Sequence, residues 1–95
     1  DTILRLQAYA EAGADVLYAP GLRTVEEIRA VVQALAPRPV NVLMGMAGVP
    51  LSVNQLQDLG VRRISVGSSL ARAALGAFHR AALEIRDEGT FGYGE

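Results

Sequence analysis

The sequence predicts an α/β fold in which parallel strands alternate with helices. Short apolar runs begin near Asp15, Val40 and Arg63, at intervals of 25 and 23 residues, close to a strand–helix–strand period. The stretches between them carry apolar residues at helical spacing and open on capping sequences. Ala12-Gly13-Ala14 before the first run and Leu59-Gly60-Val61 before the last are the same device.

Each element follows from local chemistry. Thr2 to Ala12 is expected to be helical, with Ile3, Leu6 and Ala10 on one face and Gly13 at its C-terminal cap. Asp15 to Ala19 follows as a short buried strand, and Pro20 to Arg23 as a tight loop. Thr24-x-x-Glu27 is a capping box, and Val25, Ile28, Val32 and Leu35 give the helix behind it one buried stripe. Pro37-Arg38-Pro39 stops that helix before the strand Val40 to Met44. After the glycine-containing loop Gly45 to Pro50, Ser52-x-x-Gln55 opens a short helix with Val53, Leu56 and Leu59 inward. Val61 to Val66 is the last strand. A long alanine-rich helix runs from Ser69 to Glu88, with Leu70, Ala74, Ala77, Phe78, Ala81 and Ile85 expected inward and Arg80 placed to pair with Glu84. Residues 89–95 form a glycine-punctuated tail, expected to be loose unless Phe91 or Tyr93 docks.

The totals bound the function. Ninety-five residues make one small domain or a piece of a larger one, and 51% hydrophobic content supports a packed core. A net charge of −1 gives no electrostatic case for nucleic acid or an anionic membrane. With no cysteine and a single histidine, His79, thiolate catalysis, disulfides and poly-histidine metal sites are excluded. No apolar run reaches the ~20 residues of a membrane helix, and no signal-peptide pattern opens the chain, so a cytoplasmic location is expected.

Strand–helix alternation with short connections implies a parallel sheet. Three parallel strands alone leave both edges, and one face, bare, and natural parallel sheets hide such edges. The expected architecture is therefore the last three βα units of a (β/α)₈ TIM barrel, with residues 1–95 as its carboxy-terminal segment. The strand Ile64-Ser65-Val66 runs into Gly67-Ser68-Ser69 at the start of the last helix. A helix N-terminus with free N–H groups suits phosphate or carboxylate, and in barrels the loops after the last two strands often hold such a group. The plainer reading is that Ser68 or Ser69 caps the helix. Both readings stay open at this point.

Several stretches resemble the isocitrate lyase and phosphoenolpyruvate mutase superfamily. Ala8 to Asp15, AYAEAGAD, resembles the family's lead into its sixth strand, and Pro39 to Val42, PVNV, its seventh strand. Leu59 to Ile64, LGVRRI, followed by Ser69 to Ala74, SLARAA, resembles its eighth strand and helix. PVNV and Val66 to Ala74, VGSSLARAA, are most similar to the phosphonomutase-like branch, a 2-methylisocitrate lyase-like group. The resemblance implies a Mg²⁺-dependent enzyme that makes or breaks a C–C or P–C bond in a small 2-oxo acid or related carboxylate. Phosphoenolpyruvate and carboxyphosphonoenolpyruvate mutases and 2-methylisocitrate lyase are examples. Such enzymes are cytoplasmic lyases or isomerases, and Mg²⁺ neutralises developing enolate charge.

The resemblance also implies that the metal ligands and catalytic groups belong to earlier units. No catalytic residue and no metal ligand is expected here, and this segment alone is expected to be inactive. Ala19-Pro20-Gly21 replaces the lyases' glutamate, and Leu43-Met44-Gly45-Met46 replaces the polar Asn-Met-Thr-Glu run of 2-methylisocitrate lyase. Both departures point to a substrate smaller or less charged than a tricarboxylate. The candidate substrate-binding residues are Gly67, Ser68 and Ser69, with Asn41 and Gly45 behind them.

Asn41 lies mid-strand and needs partners, from a ligand or from a core network, and Ser65 invites the same comparison. Arg62 and Arg63, at a strand start, read as solvated or salt-bridged. The expected partners are a small carboxylate or phosphonate, the remainder of the barrel and a second subunit, since the family's last helix often crosses to a neighbour. Two alternatives remain. One is a self-standing half-barrel that oligomerises or binds a phosphorylated small molecule without catalysis. The other is the tail of a different phosphate-binding barrel.

Overall fold

A computed structural model describes all residues, Asp1–Glu95. The order is α1 (Thr2–Glu11), β1 (Leu17–Tyr18), α2 (Val25–Leu35), β2 (Val40–Leu43), α3 (Val53–Asp58), β3 (Arg63–Ser65) and α4 (Ser69–Glu88), closed by a 3₁₀ turn at Gly92–Gly94. Asp1 caps α1 by accepting from the Ile3 N–H at 2.9 Å. Both predicted capping boxes form. The Thr24 hydroxyl accepts from the Glu27 N–H and the Ser52 hydroxyl from the Gln55 N–H, each at 3.1 Å, and the Glu27 and Gln55 side chains reach back in return.

The strands pair in parallel in the order β1-β2-β3, with Tyr18 beside Asn41, Asn41 beside Arg63, and Leu43 beside Ser65. The ladders are shorter than the apolar runs that predict them, because two of the three strands have a neighbour on one side only. The sheet has two faces. Leu17, Ala19, Val40, Val42 and Met44 share a core with Leu6 and Ala10 of α1, Ile28, Val31 and Leu35 of α2, and Leu56 of α3. Ile28 and Leu56 are fully buried there, worth about 1.5–3 kcal/mol each. Val31 takes the central place in the α2 stripe, while Val25 and Val32 are half-buried at its edges. By alternation, Tyr18, Asn41, Leu43, Arg63 and Ser65 lie on the opposite face, which no helix covers.

The last helix keeps its predicted bounds and overturns its predicted environment. No residue of α4 is buried, and Leu70 and Phe78 are 72% and 74% exposed. The helix projects from the sheet instead of lying on it, so the chain measures 59 × 24 × 21 Å. Its radius of gyration is 18.7 Å, against about 12 Å for a compact chain of this length. Ile64 and Val66, on the face that α4 would cover, remain partly exposed as a result. Arg80 and Glu84 form no ion pair, and the salt bridge on this helix joins Arg86 to Asp87 at 2.7 Å. The tail folds back so that Tyr93 lines a groove of about 540 Å³ along α4 with Phe78, Arg80 and Glu84.

Candidate functional site

The carboxyl ends of β2 and β3 bring four of the five predicted site residues to one corner. β3 ends at Ser65, and Gly67 turns the chain at φ 53° into α4. On the neighbouring strand, Met44 donates its N–H to the Ser65 carbonyl at 2.8 Å, which sets the two loops side by side. Gly45 follows at φ 88°, a conformation that disfavours any side chain. A Cβ there would lie 2.5 Å from Ser69 Oγ, so glycine is what lets the β2 loop close on the first residue of α4. Arg72, one turn into α4, donates to the Gly45 carbonyl at 3.2 Å and ties the corner from the helix side.

The two serines do not cap α4 in the ordinary way. Ser68 occupies the N-cap position with φ −87° and ψ 5° and makes no side-chain cap hydrogen bond. An N-cap hydroxyl reaches the N2 or N3 amide from an extended backbone, and Ser68 has turned out of that region. Its carbonyl accepts the first helical bond, from the Arg72 N–H at 2.8 Å. The Ser69 N–H donates to the Val66 carbonyl at 3.0 Å. The capping reading of Ser68 is thus corrected, and its hydroxyl is free at the positive end of a 20-residue helix.

Asn41 lies deeper, in mid-strand, and is 2% exposed. Its amide nitrogen donates to Ser65 Oγ at 3.0 Å and its amide oxygen accepts from the Arg63 guanidinium at 3.2 Å. Its partners come from β3, so it is a buried polar group satisfied by a strand-to-strand network. Arg63 is neither merely solvated nor salt-bridged, as its place at a strand start suggested. Arg63 and Arg72 are the residues that sequence reasoning missed. The Ser69-x-x-Arg72 spacing, one helical turn, is the signal for Arg72; Arg63 needed the strand register.

The corner offers hydroxyls, backbone N–H groups and a guanidinium. That donor set suits an anion and has no carboxylate for a hard dication. No group of three or more His, Asp or Glu side chains comes together in the chain. The Mg²⁺ that the resemblance implies therefore does not fit these residues. Among titratable groups, Glu27 is shifted. The Arg23 and Thr24 N–H groups donate to its carboxylate, the former at 2.8 Å, and hold it below its ordinary value.

Parallel βα units with a glycine-serine corner at the carboxyl ends of the strands define an α/β protein. The chain belongs to the phosphoenolpyruvate phosphomutase family, whose model matches residues 1–86, and so to the phosphoenolpyruvate mutase/isocitrate lyase superfamily. It is similar to a candidate lyase/mutase from Burkholderia cenocepacia J2315, at 60% identity and TM-score 0.91 over 99% of this chain and 34% of that one. It is also similar to oxaloacetate acetylhydrolase bound to 3,3-difluorooxalacetate, at 32% identity and TM-score 0.86 over 96% of this chain and 31% of that one. A third similar structure is 2,3-dimethylmalate lyase, at 29% identity and TM-score 0.80 over 95% of this chain and 32% of that one. The chain thus spans about a third of the length of these relatives. No curated protein matches it.

Proposed function

We propose that this chain is the carboxy-terminal part of a longer (β/α)₈ enzyme that makes or breaks a C–C or P–C bond in a small 2-oxo acid or related carboxylate. The observation that carries the reading is a parallel sheet with two open edges and one uncovered face, in a chain that aligns along almost its whole length with one third of each relative. Adding strands on both edges would close the sheet and enclose the face that carries Asn41 and Arg63.

In that enzyme the N–H groups of Gly67 and Ser68 and the hydroxyls of Ser68 and Ser69 hold an anionic group of the substrate. Gly45 lets the neighbouring loop close beside them, and Asn41 fixes β2 against β3 below. Mg²⁺, when bound, would neutralise enolate charge, with ligands from elsewhere in the enzyme. The apolar stripe of α4 supports assembly with a second subunit. Exposing Leu70, Leu75 and Phe78 together is otherwise costly.

The test is the intact mass and coding sequence of the natural protein, followed by assays with Mg²⁺ and a panel of 2-oxo acids. A longer product that turns over one of them, with a raised KM in Ser68→Ala, is the expected result. A natural product near 10.1 kDa that binds anions without turnover would overturn it in favour of a self-standing half-barrel.

A further inference from the structure

We propose that Arg63, oriented by Asn41 and Ser65, is a carboxylate-binding residue on the helix-free face of the sheet, separate from the Gly67 corner. The orientation of the Asn41 amide follows from chemistry. Arginine can only donate, so the side facing Arg63 must be the oxygen, and the nitrogen is left for Ser65 Oγ at 3.0 Å. Asn41 is 2% exposed and is the one buried polar residue of the chain, on the sheet face opposite the apolar core. A buried amide in mid-strand disfavours folding unless it is paired, and here its pairing fixes the guanidinium of the neighbouring strand.

The network uses one of the five donors of Arg63 and the acceptor side of Ser65. What remains is donor-rich. Arg63 keeps further N–H groups, Ser65 keeps its O–H, and Tyr18 stands in the same register layer beyond Asn41. No acidic side chain balances this set, since the ion pair of the chain is Arg86 with Asp87. A planar fork with no anion, held by a buried amide, matches a carboxylate. Arg62 is the internal control. It is the adjacent residue, points to the opposite face by alternation, and lines a separate groove with Val53 and Gln57.

The carboxylate has two possible sources, a small free acid or an Asp or Glu side chain from outside this chain. The second source rests on the longer enzyme proposed above. The probe is oxalate, titrated into the 95-residue chain while the arginine side-chain N–H resonances are followed, with chloride as the control anion.

The expected result is a saturable shift at Arg63 and Ser65 and none at Arg62. In Arg63→Gln, affinity should fall by roughly tenfold or more, the value of one charge-assisted hydrogen bond. Ser65→Ala, which leaves the bond from Arg63 to Asn41 in place, should weaken binding by a smaller factor. Equal shifts at Arg62 and Arg63, or no saturation at either, would overturn the proposal whatever the enzyme turns out to do. Repeating the titration on the longer protein separates the sources. Retained oxalate binding at Arg63 identifies a free acid, and its loss together with a through-space contact from Arg63 to a carboxylate identifies a side chain. An Arg63 that neither binds oxalate there nor meets a carboxylate also overturns it.

Discussion

Gly45 and Ser69 meet across the carboxyl ends of β2 and β3 so closely that a single methyl group on Gly45 would strike Ser69 Oγ at 2.5 Å. The contact joins two loops that are far apart in sequence and sets the shape of the corner at the strand ends. Gly45→Ala should therefore destabilise the chain twice over, through the φ of 88° and through the clash. A loss of about 1–3 kcal/mol in urea denaturation is expected. Ser69→Gly in the same background should recover the steric part and leave the backbone part, so the double-mutant cycle should be strongly non-additive.

Asn41 is held from two sides of the same neighbouring strand, by Ser65 and by Arg63. Asn41→Ala leaves both partners without their bond and opens a space in the sheet. The expected cost is about 1–3 kcal/mol in chemical denaturation, the range for unsatisfied groups in partly buried sites. A cost near zero would mean that the network is rebuilt around water.

The starts of α2, α3 and α4 differ in how they are capped, and substitution should separate them. Thr24→Ala and Ser52→Ala each remove a cap bond and half of a reciprocal box, and should cost about 0.5–2 kcal/mol. Ser68→Ala removes a hydroxyl that caps nothing, and should stay within about 0.5 kcal/mol of the parent. Thermal melts of the three variants side by side test this directly.

Glu27 gives the chain a predictable acid limb. Its folded carboxyl titrates below its ordinary value because the Arg23 and Thr24 N–H groups donate to the charged form. A depressed carboxylate stabilises the fold fully above its unfolded pKa, and the stabilisation is lost as pH falls through the folded value. Glu27→Gln should therefore be less stable than the parent at neutral pH, and the two should converge in acid. A gap that persists unchanged at low pH would assign the effect to packing instead of charge.

The residues show which parts of this molecule were legible in sequence. Thr24 with Glu27 and Ser52 with Gln55 announced their helices because a capping box is a local arrangement, complete within four residues. The bounds of α4 were legible from the glycines that flank it, Gly67 before and Gly89 after, with helical periodicity between them. Its surroundings were not, because periodicity says that Leu70 and Phe78 share an apolar face and is silent on what covers it. The partners of Asn41 were hidden likewise, since nothing local puts Asn41 level with Arg63 until the register of two strands is known. Ser68 misled because its residue type suits a cap while its backbone does not. The grouping of Gly45 with Gly67, Ser68 and Ser69 was legible from strand ends alone, because parallel strands bring all their carboxyl-terminal loops to one edge.

The projection of α4 also sets how the molecule breathes. Val40–Leu43 is the central strand, paired with β1 at its start and β3 at its end over a core beneath, so its bonded amide hydrogens should exchange only when the whole chain opens. Those of α4 answer to the helix–coil equilibrium of a 20-residue peptide pinned at one end by Arg72 and closed at the other by the left-handed Gly89. Deuterium should enter this helix from its free end and its middle long before it reaches β2. Whatever comes to lie along Leu70, Leu75 and Phe78 would then announce itself as a slowing of that entry, without any change in the sheet.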